Sequence, residues 1–266
     1  VRTTRDGIVI RPEDFNPERI IIDDAIIGSE PSVDVGDRFP GAIIGVIDYS
    51  FGNFKLLNTA PLPAPARGGL ARETTAAAAP NELSVATFNV ENLDPADPPA
   101  KFDALADVIV NNLQSPMIIA VEEVQDNNGP VNDAVVDAGL TYERLIAAIV
   151  AAGGPTYGYR QIDSVDDQDG GEPGGNIRVG FLFRTDLDSL GFVDRPGGTP
   201  TIGATVAEGP GGPRLSFSPG RIDPANPAWA NSRKPLAGEF RWRGETVFVI
   251  ANHFRSKGGD QPLLIC

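Results

Sequence analysis

Apolar and polar residues alternate along this chain in two different ways, and the change of rhythm divides it. Over the first 58 residues the apolar runs are short, β-branched and broken by Pro, Gly and Asp, which predicts strands near 7–11, 19–22 and 41–47. Asp48-Tyr-Ser-Phe-Gly-Asn-Phe-Lys55 then predicts a turn and a closing strand. It gathers Tyr49, Phe51 and Phe54, where only Phe15 and Phe39 precede. Residues 59–82 hold Pro61, Pro63, Pro65, Gly68, Gly69 and four consecutive alanines from Ala76, a linker composition. From residue 83 to 266 strands and helices alternate. Apolar positions at Phe102, Leu105, Val108 and Ile109 predict a helix over 101–112, and 142–152 predicts a second, ended by Gly153-Gly154. Continuous apolar runs predict buried strands at 117–121, 157–162, 177–183, 236–242 and 247–251, with 196–231 mostly loop. The pattern is mixed α/β, with helices outside two sheets.

Composition narrows the function. With 41% hydrophobic residues the chain can bury a core, and no apolar run reaches the length of a membrane span. Net charge is -14, which argues against passive coating of nucleic acid, because phosphate contacts are made by basic surfaces. It does not exclude an enzyme whose metal supplies the positive charge. A single Cys, at position 266, leaves no intrachain disulfide.

Candidate chemistry sits at strand ends. Asn89 and Glu91 are two apart on one strand and share a face with Thr87, either at a site or as a polar surface end. Glu123 ends the apolar run from Met117, where a buried carboxylate needs a partner or a metal. The stretch 163–176 holds Asp166, Asp167, Asp169 and Glu172. It reads as a solvated loop, with a Ca²⁺ loop as the alternative, though its spacing is not that of an EF-hand. Arg178 on the next strand could face phosphate, and so could Arg233 in Ser232-Arg-Lys-Pro235. His253, the one histidine, follows a buried strand and has Asn252, Arg255 and Lys257 as neighbours.

Four segments carry a resemblance. They are Ala86-Thr-Phe-Asn-Val-Glu-Asn-Leu93, Ile119-Ala-Val-Glu-Glu-Val-Gln-Asp126, Asn176-Ile-Arg-Val-Gly-Phe-Leu-Phe-Arg184 and Ala251-Asn-His-Phe-Arg-Ser-Lys-Gly-Gly-Asp260. In this order they resemble the endonuclease/exonuclease/phosphatase superfamily, the fold of pancreatic deoxyribonuclease, and most of all the extracellular nucleases of bacteria. The resemblance implies a deoxyribonuclease I-like layered β-sandwich flanked by helices. It implies a secreted or cell-surface bacterial phosphodiesterase that cleaves DNA or RNA, with Mg²⁺ (or Mn²⁺) at the site and Ca²⁺ as a structural ion. Glu123 and Glu91 map to the metal, His253, Asn89 and Arg233 to catalysis and phosphate, and Arg178, Asn252 and Lys257 to substrate. The family usually has Gln before its metal-binding Glu; here it is Glu122. Residues 15–20 and 48–55 resemble part of the oligonucleotide-binding module that precedes such catalytic domains. Two late family motifs, an Asp-x-Asn and an Asp-His pair, do not follow His253, so a domain interrupted partway, inactive and prone to associate, is expected. Glu13-Asp-Phe-Asn16 imitates the first of these but lies before the linker. A phosphatase or phospholipid phosphodiesterase of the same superfamily, or a non-catalytic binding protein, are the alternatives. No protein partner is implied.

Overall fold

The computed structural model describes residues 20–50, 53–169, 172 and 174–254. The chain divides into two compact units between Arg72 and Glu73, within the Pro- and Ala-rich stretch.

In the first unit, β1 (Ile21–Asp23) runs parallel to β3 (Asn53–Asn58), and β2 (Gly45–Ser50) pairs antiparallel with β3 on its other side. The cross-strand pair Tyr49–Phe54 brings two rings to 5.0 Å, and Lys55 on the central strand bonds Asp23 at 2.7 Å. The strand expected near 7–11, Phe51 and the 15–19 part of the oligonucleotide-binding likeness lie outside the described residues.

The second unit is three layers. Its central sheet has the order β4 (Val85–Leu93), β5 (Ile118–Val124), β7 (Arg178–Arg184), β6 (Tyr157–Arg160). Only β4 and β5 are parallel, joined through α1 (Pro99–Asp107). The apolar spacing predicts one helix over 101–112; its last turn, Val108–Asn112, widens to π geometry. Helix α2 (Gly139–Ala151) packs beside α1. Strand alternation sends Ile119, Val121 and Leu182 to the helices, and a bulge adds Val124; there they meet Phe102, Ile109, Leu145 and Ile149. The opposite face sends Ile118, Ala120, Val179 and Phe181 to a second sheet, built from β8 (Leu190–Phe192), β11 (Gly220–Arg221), β12 (Leu236–Trp242) and β13 (Glu245–Ala251). Phe181, Phe183, Phe192 and Phe240 form an aromatic cluster between the sheets, with centroids 5.0–6.0 Å apart.

Arg243 and Gly244, both at positive φ, join β12 to β13 as a two-residue hairpin turn. The stretch expected to be loop also contains a small hairpin, β9 (Val206–Gly209) with β10 (Gly212–Leu215). The expected outer helices cover one side only among the described residues. The outward face of the edge strand β13 leaves Phe248 and Ile250 exposed. No described helix is long and apolar enough to cross a membrane.

Candidate active site

The site is made by two irregularities at the same end of neighbouring strands. Between Val121 and Val124, β5 advances three residues while β7 advances two, a one-residue bulge. Between Asn89 and Leu93, β4 advances four residues while β5 advances two. Both bulges use residues at positive φ: Glu91, Asn92 and Glu123. The extra residue in β5 lets Val121 and Val124 both reach the helix-side core while displacing Glu122 and Glu123 from it. A regular strand would have turned Glu123 into that apolar layer.

Glu123 is then held from two directions. Its Oε2 accepts the Asn92 backbone N–H at 3.2 Å, and its Oε1 lies 3.4 Å from His253 Nε2. His253 is in turn engaged by Arg233. The guanidinium Nε donates to Nδ1 at 3.1 Å, Nη2 lies 3.3 Å from Nε2, and Nη2 also donates to the Phe254 carbonyl at 3.0 Å. The two ring nitrogens point their in-plane positions to opposite sides of the ring. One fork therefore makes one hydrogen bond to the imidazole, to Nδ1, and the second approach is a contact. Burial first, and the Arg233 charge second, push the His253 pKa below its ordinary value, while Glu123 pulls the other way. The neutral ring that results accepts at Nδ1 and carries its proton on Nε2, toward Glu123.

The structure thus brings Glu123, His253 and Arg233 into contact. Arg233 is nearly buried, and its fork is turned to the imidazole, so it meets a phosphate only beside the histidine. Asn89 and Glu91 stand one bulge away on β4. Asn89 Oδ1 caps the bulge by accepting the Glu91 N–H at 2.7 Å, and Glu91 is exposed. Asn252 is exposed and its amide reaches only the Ile250 carbonyl, at 3.4 Å. Lys257 lies outside the described residues.

Arg178 does not join them. Its side chain is fully buried, with Nη1 bonded to Asp163 at 2.9 Å and Gln161 at 3.2 Å, and Nη2 to the Asn176 carbonyl at 3.0 Å. It also donates to the Val136 carbonyl. The expectation of a substrate-binding Arg178 is overturned, because its strand position faces the helix-side layer and its donors tie loops together. Of the 163–176 stretch, Asp166, Asp167 and Glu172 are exposed, as a solvated loop requires, but other polar residues of it turn inward. Asp169 is buried against Lys234, Asp163 holds Arg178, and Asn176 donates to Asp126 at 3.1 Å and Asp166 at 3.2 Å. These carboxylates are engaged by protein donors.

Glu122 is the residue whose role the sequence obscured. It is buried and accepts a hydrogen bond from the Thr87 hydroxyl. Burial pushes its pKa up, and the neighbouring Glu123 charge adds to this against the Thr87 bond. Its one trace in the sequence is the doubled glutamate after an all-apolar run, which does not by itself reveal a bulge. Asn92 was missed as well. Its Oδ1 is buried and meets no donor in the structure.

Among the described residues no three His, Cys, Asp or Glu side chains are grouped to hold a metal. Mg²⁺ asks for less: one or two carboxylates, with water and phosphate completing its shell. Hard oxygens of Glu123, the unmatched Asn92 Oδ1 and the adjacent Glu122 suit such an ion.

Comparison with known proteins gives two family matches. The model described as the endonuclease/exonuclease/phosphatase family matches residues 86–260, and a domain of unknown function (DUF8508) matches residues 1–67. No curated protein matches the chain. Among solved structures, an endonuclease/exonuclease/phosphatase family protein from Leptotrichia buccalis is similar at 13% identity and a TM-score of 0.36, covering 68% of this chain and 56% of that one. The chain thus spans little more than half the length of that relative.

Proposed function

Because the chain belongs to the endonuclease/exonuclease/phosphatase family, a family of hydrolases, we propose that it carries the metal site of a phosphodiesterase that cleaves DNA or RNA. The observation that carries this reading is the contact chain Glu123–His253–Arg233 at the bulged ends of β4 and β5. Glu123 would hold a Mg²⁺ or Mn²⁺ ion there, with Asn92, Asn89 and Glu91 supporting it. When bound, the cation supplies Lewis-acid polarisation of a phosphoryl oxygen. His253, kept neutral and oriented by Arg233, offers its Nε2–H to a phosphate oxygen arriving beside Glu123. Arg233 adds fixed positive charge next to the same oxygen.

The test is relaxation of supercoiled plasmid and cleavage of an RNA oligonucleotide by the native protein, with Mg²⁺ or Mn²⁺ and with EDTA. Glu123→Gln should lower the rate about 100-fold or more, the scale of losing one preorganised electrostatic contact. Cleavage that survives EDTA, or that Glu123→Gln leaves untouched, overturns the reading.

The reading extends to place and module. The run from Asn252 to Gly259 supports a secreted or cell-surface bacterial enzyme, which activity in spent medium would check. The Tyr49–Phe54 pair on the first unit's sheet supports part of an oligonucleotide-binding fold.

A further inference from the structure

Arg233 has a neighbour whose surroundings the active-site reading does not use. Lys234, the next residue, lines a separate pocket of about 360 Å³ together with Pro200, Pro224, Pro227, Trp229 and Asn231. That volume lies at the lower end of the range of small-molecule sites. Hydrogen bonds brace the pocket wall. Asn226 caps the short turn Pro227–Trp229 through its side chain, accepting the Ala228 N–H at 3.0 Å. The Trp229 carbonyl then accepts the Ser232 N–H at 3.0 Å, which ties the turn directly to the buried Ser232-Arg233 pair.

The chemistry of this pocket is that of a flat, uncharged ring. Trp229 is only half-buried, and three prolines extend its apolar surface. Lys234 is neutralised by the buried Asp169, so the pocket offers no surplus cation for another phosphate. Asn231 and Gln168 supply amide groups at the rim, suited to a ring with polar edges. We propose that this pocket takes a nucleobase of the substrate strand, stacked on Trp229, while a phosphate of the same strand lies at Arg233 and His253. The proposal rests on the phosphodiesterase reading and sharpens it. It makes the substrate nucleic acid with an unpaired, unstacked base within reach of the site, since in a duplex the neighbouring bases cover both faces.

Binding can be measured apart from hydrolysis, in EDTA. A fluorescently labelled single-stranded DNA oligonucleotide, its RNA counterpart and an abasic DNA of equal length are titrated by anisotropy. Trp229→Ala should weaken binding of the base-bearing strands about 5- to 100-fold, Trp229→Phe should largely restore it, and affinity for the abasic strand should not change. The chain has two tryptophans, and the Trp242 indole nitrogen is buried. In Trp242→Phe protein the remaining emission therefore reports Trp229, and base-bearing strands, not abasic ones, should quench it. Equal quenching by the abasic strand, equal loss of both affinities, or no effect of Trp229→Ala overturns the proposal. The two readings fail separately. Plasmid cleavage with unchanged oligonucleotide binding in Trp229→Ala sinks only the stacking pocket, and base-dependent quenching without metal-dependent cleavage sinks only the enzyme reading.

Discussion

Arg233 donates from Nε to Nδ1 of His253 at 3.1 Å, across the β12–β13 hairpin that separates them by twenty residues. That hydrogen bond orients the chain's single histidine and sets its tautomer, and the Arg233 charge adds to burial in keeping the ring neutral. The hairpin makes the bond possible. Leu236 pairs with Ala251, so the residues just before β12 and just after β13 emerge at the same sheet end.

That bond is readable by NMR. In metal-free protein the His253 pKa lies below 6.5, because of burial and then of Arg233. Arg233→Gln should move it up, and Glu123→Gln should move it further down. A depressed pKa in the folded state contributes stability that is present above about 6.5 and is lost as pH falls through the folded value. Wild-type protein should therefore lose stability on acidification through this range, and Arg233→Gln should lose less. A histidine titration unmoved by Arg233→Gln would refute the pairing.

Glu122→Gln should stabilise the protein at neutral pH. Its folded pKa is raised, so its contribution is present below the unfolded value of 4.5 and is lost as pH rises through the folded value. The glutamine retains an acceptor for Thr87 and sheds the buried charge. Melting temperatures at pH 4 and pH 7 test this: the gain should be larger at pH 7.

Arg178→Ala should cost stability and nothing else. It strands the Val136 carbonyl and takes one donor each from the Asn176 carbonyl and the Asp163 carboxylate, which keep Ser164 and Gln161, for a loss of about 2–4 kcal/mol in denaturant unfolding. Nucleic-acid affinity of the folded variant should equal that of wild type. A selective loss of affinity would return Arg178 to the substrate surface.

Tyr142→Phe runs against intuition. Tyr142 is fully buried and stacked on Tyr159 at 4.7 Å, yet its hydroxyl has no hydrogen-bond partner. Gly180 leaves room for it, since a Cβ there would lie 2.1 Å from the hydroxyl oxygen. Removing the oxygen relieves an unmatched buried dipole, and stability should rise by roughly 1 kcal/mol. Gly180→Ala should be severely destabilising.

The central sheet and both helices were legible because a 3.6-residue spacing marks an amphipathic helix, and the shortness and β-branched content of the continuous apolar runs mark them as strands. Glu123 and His253 were legible as polar residues closing such runs. Glu122 and Asn92 were not, because a bulge leaves no periodic signature and changes the facing of every residue after it. Arg178 misled for a related reason. A strand position beside an apolar run says that a side chain is buried, but which donors and acceptors surround it depends on loops at 126–137 and 161–163, far away in sequence.

Glu91 and Glu123 sit at φ of 56° and 63°, where a side chain costs roughly 1–2 kcal/mol per residue, while Asn92 at 54° is of a residue type that tolerates this region. If the proposed function holds, heat tolerance and hydrolysis are therefore in conflict at these two positions. A population selected only for a higher melting temperature would drift to glycine at Glu91 and Glu123, relaxing the backbone and erasing the site together. One selected for cleavage would retain the strain and acquire its stabilising changes elsewhere, in the apolar layers that these bulges leave undisturbed.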